Sequence, residues 1–112
     1  MSNQLDGLDS RLRPYAAALF QLARQVPSAY VTSARRSRRE QTSAYNAARE
    51  GRSRFPAAAP GTSKHERGLA FDLGGLSNSQ LRQLGRIWES WGGRWGGRFR
   101  WRDPIHFESG LG

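Results

Sequence analysis

The sequence contains no cysteine. Disulfides and thiolate metal sites are thereby excluded, and any metal ion must be held by nitrogen and oxygen ligands. Histidine is scarce too, with only His65 and His106 present. No apolar run approaches the roughly 20 residues that span a bilayer, so membrane insertion is not expected. The first residues, Met1-Ser2-Asn3-Gln4-Leu5-Asp6, lack the basic-then-apolar layout of a secretory signal. Acidic residues are outnumbered, 9 against 18 basic, for a formal charge of +9. Such a balance favours a polyanionic partner, either nucleic acid or the carboxylate- and phosphate-bearing wall of a bacterium, and charge alone does not separate the two. The glycine pairs near the C-terminus are not a phosphate loop, because the lysine and hydroxyl that follow such a loop are missing.

What is present suffices for one domain. The 112 residues are 37% hydrophobic with four tryptophans, enough for a single modest core. Residues 1–8 are polar and read as a loose lead-in. Apolar side chains at Leu12, Tyr15, Leu19, Leu22 and Val26 mark one face of a helix over 9–26, with Pro14 in its first turn and Pro27 ending it. Ala29 to Ser33 is short, β-branched and aromatic and reads as a strand. A basic cluster, Arg35-Arg36-Ser37-Arg38-Arg39, precedes a helix from Glu40 to Glu50 that stops at Gly51. Residues 51–64, rich in Gly, Pro, Ser and Ala, read as a long loop of the kind that usually has a function.

Gly68 to Leu73 reads as a buried strand. Ser77 or Asn78 caps a third helix reaching Trp91, with Leu81, Leu84, Ile87, Trp88 and Trp91 on its apolar face. Glycine pairs between aromatics then lead to a closing strand at Ile105-His106-Phe107. The expected fold is α+β over 1–112, with a small, mostly antiparallel sheet packed with about three helices.

The chemistry concentrates in Ser63-Lys64-His65-Glu66-Arg67-Gly68-Leu69-Ala70-Phe71-Asp72 and in Asp103-Pro104-Ile105-His106-Phe107-Glu108. Two imidazoles and one carboxylate (His65, His106 and Asp72) can hold a divalent ion, and three protein ligands leave a position open, as in catalytic zinc sites. Taken singly, each has a plainer reading, as a hydrogen-bonding histidine or a turn carboxylate. Trp91, Trp95 and Trp101 fit either a peptide groove or core filling, the helical spacing of Trp88 and Trp91 favouring core.

The run Ser63-x-His65-x-x-Gly68-x-Ala70-x-Asp72 resembles the signature of the zinc D-Ala-D-Ala carboxypeptidases and L-alanyl-D-glutamate endopeptidases, the VanY and phage endolysin group. Three satellites match in order. Ser33-Ala34-Arg35-Arg36-Ser37 with Gln41 and Tyr45 resembles that family's Ser-Gly-Tyr-Arg-Ser segment. Trp91-Gly92-Gly93-x-Trp95 and Asp103-Pro104-Ile105-His106-Phe107 resemble segments of the endopeptidase branch. The resemblance implies that His65, Asp72 and His106 are ligands of Zn2+, that Asp103 is the catalytic base, and that Arg36 and Ser63 contact substrate. Carboxypeptidase members usually carry glutamate where Asp103 stands. Glu66 and Glu108 are the fallback bases. An arginine fork suits the carboxylates of wall peptides.

The expected function is zinc-dependent hydrolysis of peptidoglycan stem peptides, by an L-alanyl-D-glutamate endopeptidase in preference to a D-Ala-D-Ala carboxypeptidase or a non-catalytic wall-binding module. A nucleic-acid-binding protein, the reading charge alone permits, leaves the histidine–aspartate set unexplained. The expected partner is bacterial peptidoglycan and the expected state a monomer. Small size, basic charge and the absence of a signal fit a phage-type lysin made in the host cytoplasm and acting on the wall, or carried in the virion, with a bacterial enzyme exported by another route as the alternative.

Overall fold

A computed structural model describes residues 4–53 and 57–110. Three helices, α1 (Arg13–Ala23), α2 (Arg38–Arg49) and α3 (Asn78–Ser90), accompany four strands, β1 (Tyr30–Ser33), β2 (Ala70–Gly74), β3 (Arg94–Trp95) and β4 (His106–Glu108). The sheet order is β1-β2-β4-β3 and every pairing is antiparallel. The α+β expectation therefore holds.

The helices start where side chains can satisfy their free N–H groups. Ser37 and Glu40 form a reciprocal capping box at α2, and Ser77 and Gln80 form one at α3. α2 thus begins at Arg38, two residues before the expected start, and takes Arg38 and Arg39 out of the basic loop. α1 is shorter than its apolar pattern suggested, and its buried face is different. Leu12, Ala16, Leu19 and Ala23 are buried, whereas Tyr15 and Leu22 are exposed. The small alanines let α1 approach its neighbours closely, and that turns the larger Tyr15 outward.

Alternation along a strand sends successive side chains to opposite faces. Phe71 and Leu73 of β2 and Phe107 of β4 point to one face, where they join Trp88 of α3, Leu12 and Leu19 in a continuous core. Phe71 stacks on Phe107 at 5.5 Å and meets Trp88 edge-on at 5.2 Å. Gly85 lets α3 close over Trp95, since a Cβ there would come within 2.2 Å of the indole. Trp95 is therefore core, whereas Trp91, placed on the apolar face by its spacing, is 39% exposed.

Residues 1–8 were expected to be loose. Residues 4–8 are not, because Gln4–Gly7 form a 3-10 turn that inserts Leu5 and Leu8 into the core, each 2% exposed. Two leucines spaced three apart are enough to bury a short segment that is otherwise polar. Residues 1–3, and 54–56 of the expected long loop, lie outside the described residues.

Candidate metal centre

The other face of β2 and β4 carries the polar set. Asp72 pairs in register with His106, so both side chains rise from the same face side by side. His65 arrives from a different element, a 3-10 turn over Lys64–Arg67 whose N–H groups are capped by the Ser63 hydroxyl, with His65 N donating to Ser63 Oγ at 3.1 Å. The turn ends at Gly68 in the left-handed conformation (φ 70°), where a Cβ would also press on the backbone of Asp9 at 3.0 Å. That bend lets one short stretch place both His65 and Asp72 at the same point.

Three donor atoms meet there. His65 Nε2 lies 3.3 Å from His106 Nδ1 and 3.3 Å from Asp72 Oδ1, and His106 Nδ1 lies 3.1 Å from the same oxygen. The outer nitrogens fix which atoms carry lone pairs. His65 Nδ1 faces the Ala34 carbonyl at 2.7 Å and must donate to it, leaving Nε2 bare. His106 Nε2 donates to Glu108 Oε1 at 2.8 Å, so in the neutral ring it is Nδ1 that carries the lone pair. Two lone pairs and a carboxylate oxygen thus converge, all three residues buried. A tetrahedral ion bound at about 2.0–2.1 Å needs donors roughly 3.3 Å apart, so the triangle fits a zinc-sized cation. With only protons to fill it, burial disfavours charge on His106, but the hydrogen bonds to Asp72 and Glu108 outweigh burial and raise its pKa to about 9. Burial likewise opposes ionisation of Asp72, yet its two histidine partners hold its pKa well below the ordinary carboxylate range.

Supporting groups hold this triangle in place. Arg36 donates to Asp72 Oδ2 at 3.1 Å, to Gln41 Oε1 at 3.0 Å and to Ser33 Oγ at 2.8 Å. Its guanidinium therefore grips a member of the triangle, and two of its five N–H donors stay free of these bonds. Gln41, fully buried, also donates to the Ala58 carbonyl at 2.7 Å and ties the loop before the turn to α2. Glu108 bridges His106 and Lys64, whose ammonium lies 2.9 Å from Oε2. Those bonds outweigh burial and lower the Glu108 pKa to about 2. Sequence reasoning assigned no such role to Glu108, Lys64 or Gln41. The two-residue step from His106 to Glu108 on a strand was the signal for the first, since it places both on one face.

Asp103 lines the same groove. Its Oδ1 is buried without a hydrogen-bond partner among the described residues. Burial, and then the nearby Asp72 charge, push its pKa up to about 6. The fallback carboxylates are engaged elsewhere: Glu108 as above, and Glu66 with the Gly61 N–H at 2.7 Å and Arg38 at 3.8 Å. Gly96 anchors the Asp103 segment, its carbonyl accepting from Asp103 N at 2.9 Å. The groove, about 690 Å3, runs between α2, at Ala44 and Ala47, and an aromatic segment at Phe99 and Trp101. Of the three tryptophans considered for such a groove, only Trp101 lines it, and it is 72% exposed.

The family model described as VanY: D-alanyl-D-alanine carboxypeptidase matches residues 6–95, a span that stops short of Asp103 and His106. No curated protein sequence matches. A solved mutant of the vancomycin-resistance D,D-pentapeptidase VanY, in complex with Zn(II), is 22% identical, with 92% of this chain and 72% of that one covered at a TM-score of 0.70. The D,D-dipeptidase VanXYg bound to a D-Ala-D-Ala phosphinate analogue is 20% identical, covering 92% of this chain and 50% of that one at 0.71. The L-Ala D-Glu endopeptidase ChiX of Serratia marcescens is 24% identical, covering 95% and 83% at 0.56. At such identities these likenesses are of fold. The family match over most of the length is the stronger finding, and by it this chain belongs to the VanY D-alanyl-D-alanine carboxypeptidase family of peptidoglycan-cleaving metallopeptidases.

Proposed function

We propose that the chain is a zinc-dependent peptidoglycan peptidase in which His65, Asp72 and His106 hold Zn2+ and Asp103 is the general base. The observation that carries this reading is the triangle of bare donor atoms, with an unpartnered carboxyl in the same groove. Bound zinc would supply Lewis acidity and lower the pKa of a coordinated water to about 7. The chain supplies the rest. Asp103, once ionised, accepts a proton from water and passes it to the departing amine. In the metal-free chain burial holds its pKa above that of an ordinary aspartate. Arg36 orients Asp72 through its bond to Oδ2, and the N–H donors it does not use there suit a substrate oxygen. Ser63 serves first as the cap that orients His65, and its hydroxyl borders the groove.

The preferred bond is that between L-alanine and D-glutamate. This rests on the Trp91-Gly92-Gly93-x-Trp95 and Asp103-Pro104-Ile105-His106-Phe107 segments and on a groove bounded by elements on both sides of the triangle. Removal of a terminal D-alanine is the second reading, favoured by the family description and by the higher TM-scores to the VanY-type structures. Action as a monomeric, phage-type lysin belongs to the same proposal.

Digestion of purified peptidoglycan by zinc-loaded protein, with products weighed by mass spectrometry and a chelated control alongside, separates these readings. New L-alanine C-termini and D-glutamate N-termini, lost on chelation, are expected. Free D-alanine instead would move the assignment to the carboxypeptidase reading. No cleavage with one zinc bound would leave a wall-binding module.

A further inference from the structure

The segment that carries Asp103 borders two concavities. Phe99, Trp101 and Asp103 line the groove of the metal centre. Arg98, Arg102 and Pro104 line a second hollow of about 560 Å3, together with Trp95 and with Arg82 and Arg86 of α3. All four arginines are exposed. Arg82 and Arg86 stand one helical turn apart, a like-charge spacing that costs a helix a few tenths of a kcal/mol. Glu89 pairs with Arg98. Among the described residues no carboxylate pairs with Arg82, Arg86 or Arg102. Positive charge is thus concentrated in a hollow, where low-dielectric walls focus the field outward onto an incoming anion.

The lining also indicates what kind of anion fits. Among the described residues Trp95 is the only aromatic in the lining, and it is buried, 9% exposed. A Cβ at Gly85 or at Gly97 would each come within 2.2 Å of its ring, so the backbone closes on the indole at both glycines. Its N–H is spent on the Pro104 carbonyl at 2.8 Å. A nucleobase finds no aromatic platform, which is what single-stranded nucleic-acid sites offer. Guanidinium forks without such a platform suit phosphate groups on a chain that has no bases.

We propose that this hollow is a second binding site, which takes the phosphodiester groups of anionic bacterial wall polymers and holds the enzyme beside its peptide substrate. The proposal rests on the reading of the wall as the target. It adds a place and a ligand chemistry to a net charge that would otherwise be diffuse.

The test uses the full zinc-loaded chain and a soluble poly(glycerol phosphate) as probe, with affinity measured by calorimetry. Arg82→Glu/Arg86→Glu is compared with Arg24→Glu/Arg49→Glu, which changes the net charge equally at exposed positions outside the hollow. The first pair is expected to weaken binding at least tenfold and the second less than threefold. Hydrolysis of a small soluble stem peptide should be unchanged in both, because none of these arginines lines the metal-centre groove. Equal weakening by the two pairs would reduce the effect to net charge and overturn the proposal. So would tighter binding of a single-stranded oligonucleotide of equal charge that is lost in Arg82→Glu/Arg86→Glu. If charge reversal unfolds the chain, Arg82→Gln/Arg86→Gln makes the same comparison. The binding readout is independent of turnover, so a protein that binds the polymer but cuts no wall peptide would count against the proposed peptidase activity alone.

Discussion

The two faces of β2 and β4 are made by neighbouring residues of the same strands, yet they are held together by opposite physics. On one face Phe71, Leu73 and Phe107 join Trp88, Leu12 and Leu19. Stability there comes from removing apolar surface from water, about 25 cal/mol per Å2, and it is tolerant of rearrangement so long as volume is kept. On the other, Asp72, His106 and Glu108 sit among His65, Arg36 and Lys64. Buried charges are costly unless each is paired, and without a metal the triangle is held by the pairing of His106 with Asp72 and Glu108. One face spends its residues on folding. The other depends on that rigidity to hold an arrangement that would not form alone.

The contrast breaks most completely at a proposed ligand. His106→Ala should abolish zinc binding and reduce turnover to background, with the core aromatics still packed; near-ultraviolet circular dichroism and metal content check both halves. Asp103→Asn comes next, with turnover expected to fall about 10²–10⁴-fold, some 3–5 kcal/mol, while zinc remains bound. Full turnover in that variant would remove Asp103 from the mechanism.

Phe107→Ala acts on the other face and is expected to cost about 3–5 kcal/mol of stability in denaturant titration, a large part of what a small domain possesses. The metal centre should then weaken only through unfolding. Retention of wild-type stability would mean the aromatic stack is not what supports the site.

Glu108→Gln should be milder, lowering zinc affinity about 10–100-fold by loosening the hold on His106 while leaving the fold intact. Unchanged affinity in a chelator competition would show that Glu108 is not a positioning residue for His106.

The smallest effect concerns pH. The Asp103 carboxyl has a folded pKa of about 6, above its ordinary 3.8. The folded protein therefore binds more protons than the unfolded chain between these values, and stability falls as pH rises through that window. In metal-free protein, Asp103→Asn should lift that penalty by on the order of 1–2 kcal/mol at pH 7–8, less than the full shift implies because the side chain is partly exposed, and should change little at pH 4. A gain of equal size at both pH values would mean that the charge is not its cause.

Much of this was legible beforehand, for reasons that differ by residue. α3 was readable because Ser77, Gln80 and the Leu81-Leu84-Trp88 spacing all act within a few turns of chain. The Ser37–Glu40 box was equally local and would have placed the start of α2 correctly. Leu5 and Leu8 were misread because a short polar stretch gives no periodicity, and only the core it docks into explains their burial. The buried face of α1 was right at Leu12 and Leu19 but wrong at Tyr15 and Leu22, which spacing favoured, whereas close packing selected Ala16 and Ala23.

The sequence by itself determined the donor chemistry. Without cysteine, and with only two histidines, the available ligands were nitrogen and oxygen, and the ten-residue run from Ser63 to Asp72 was short enough for its spacing to be informative. Only the tertiary structure decided the rest. The antiparallel register of β2 and β4 brings Asp72 opposite His106 across 34 residues of sequence. That Asp103 Oδ1 is left without a partner among the described residues while Glu66 and Glu108 are bonded is likewise a matter of partners distant in the chain. Residue types and local spacing are carried along the chain, whereas lone-pair direction, burial and unsatisfied charge exist only once distant segments meet.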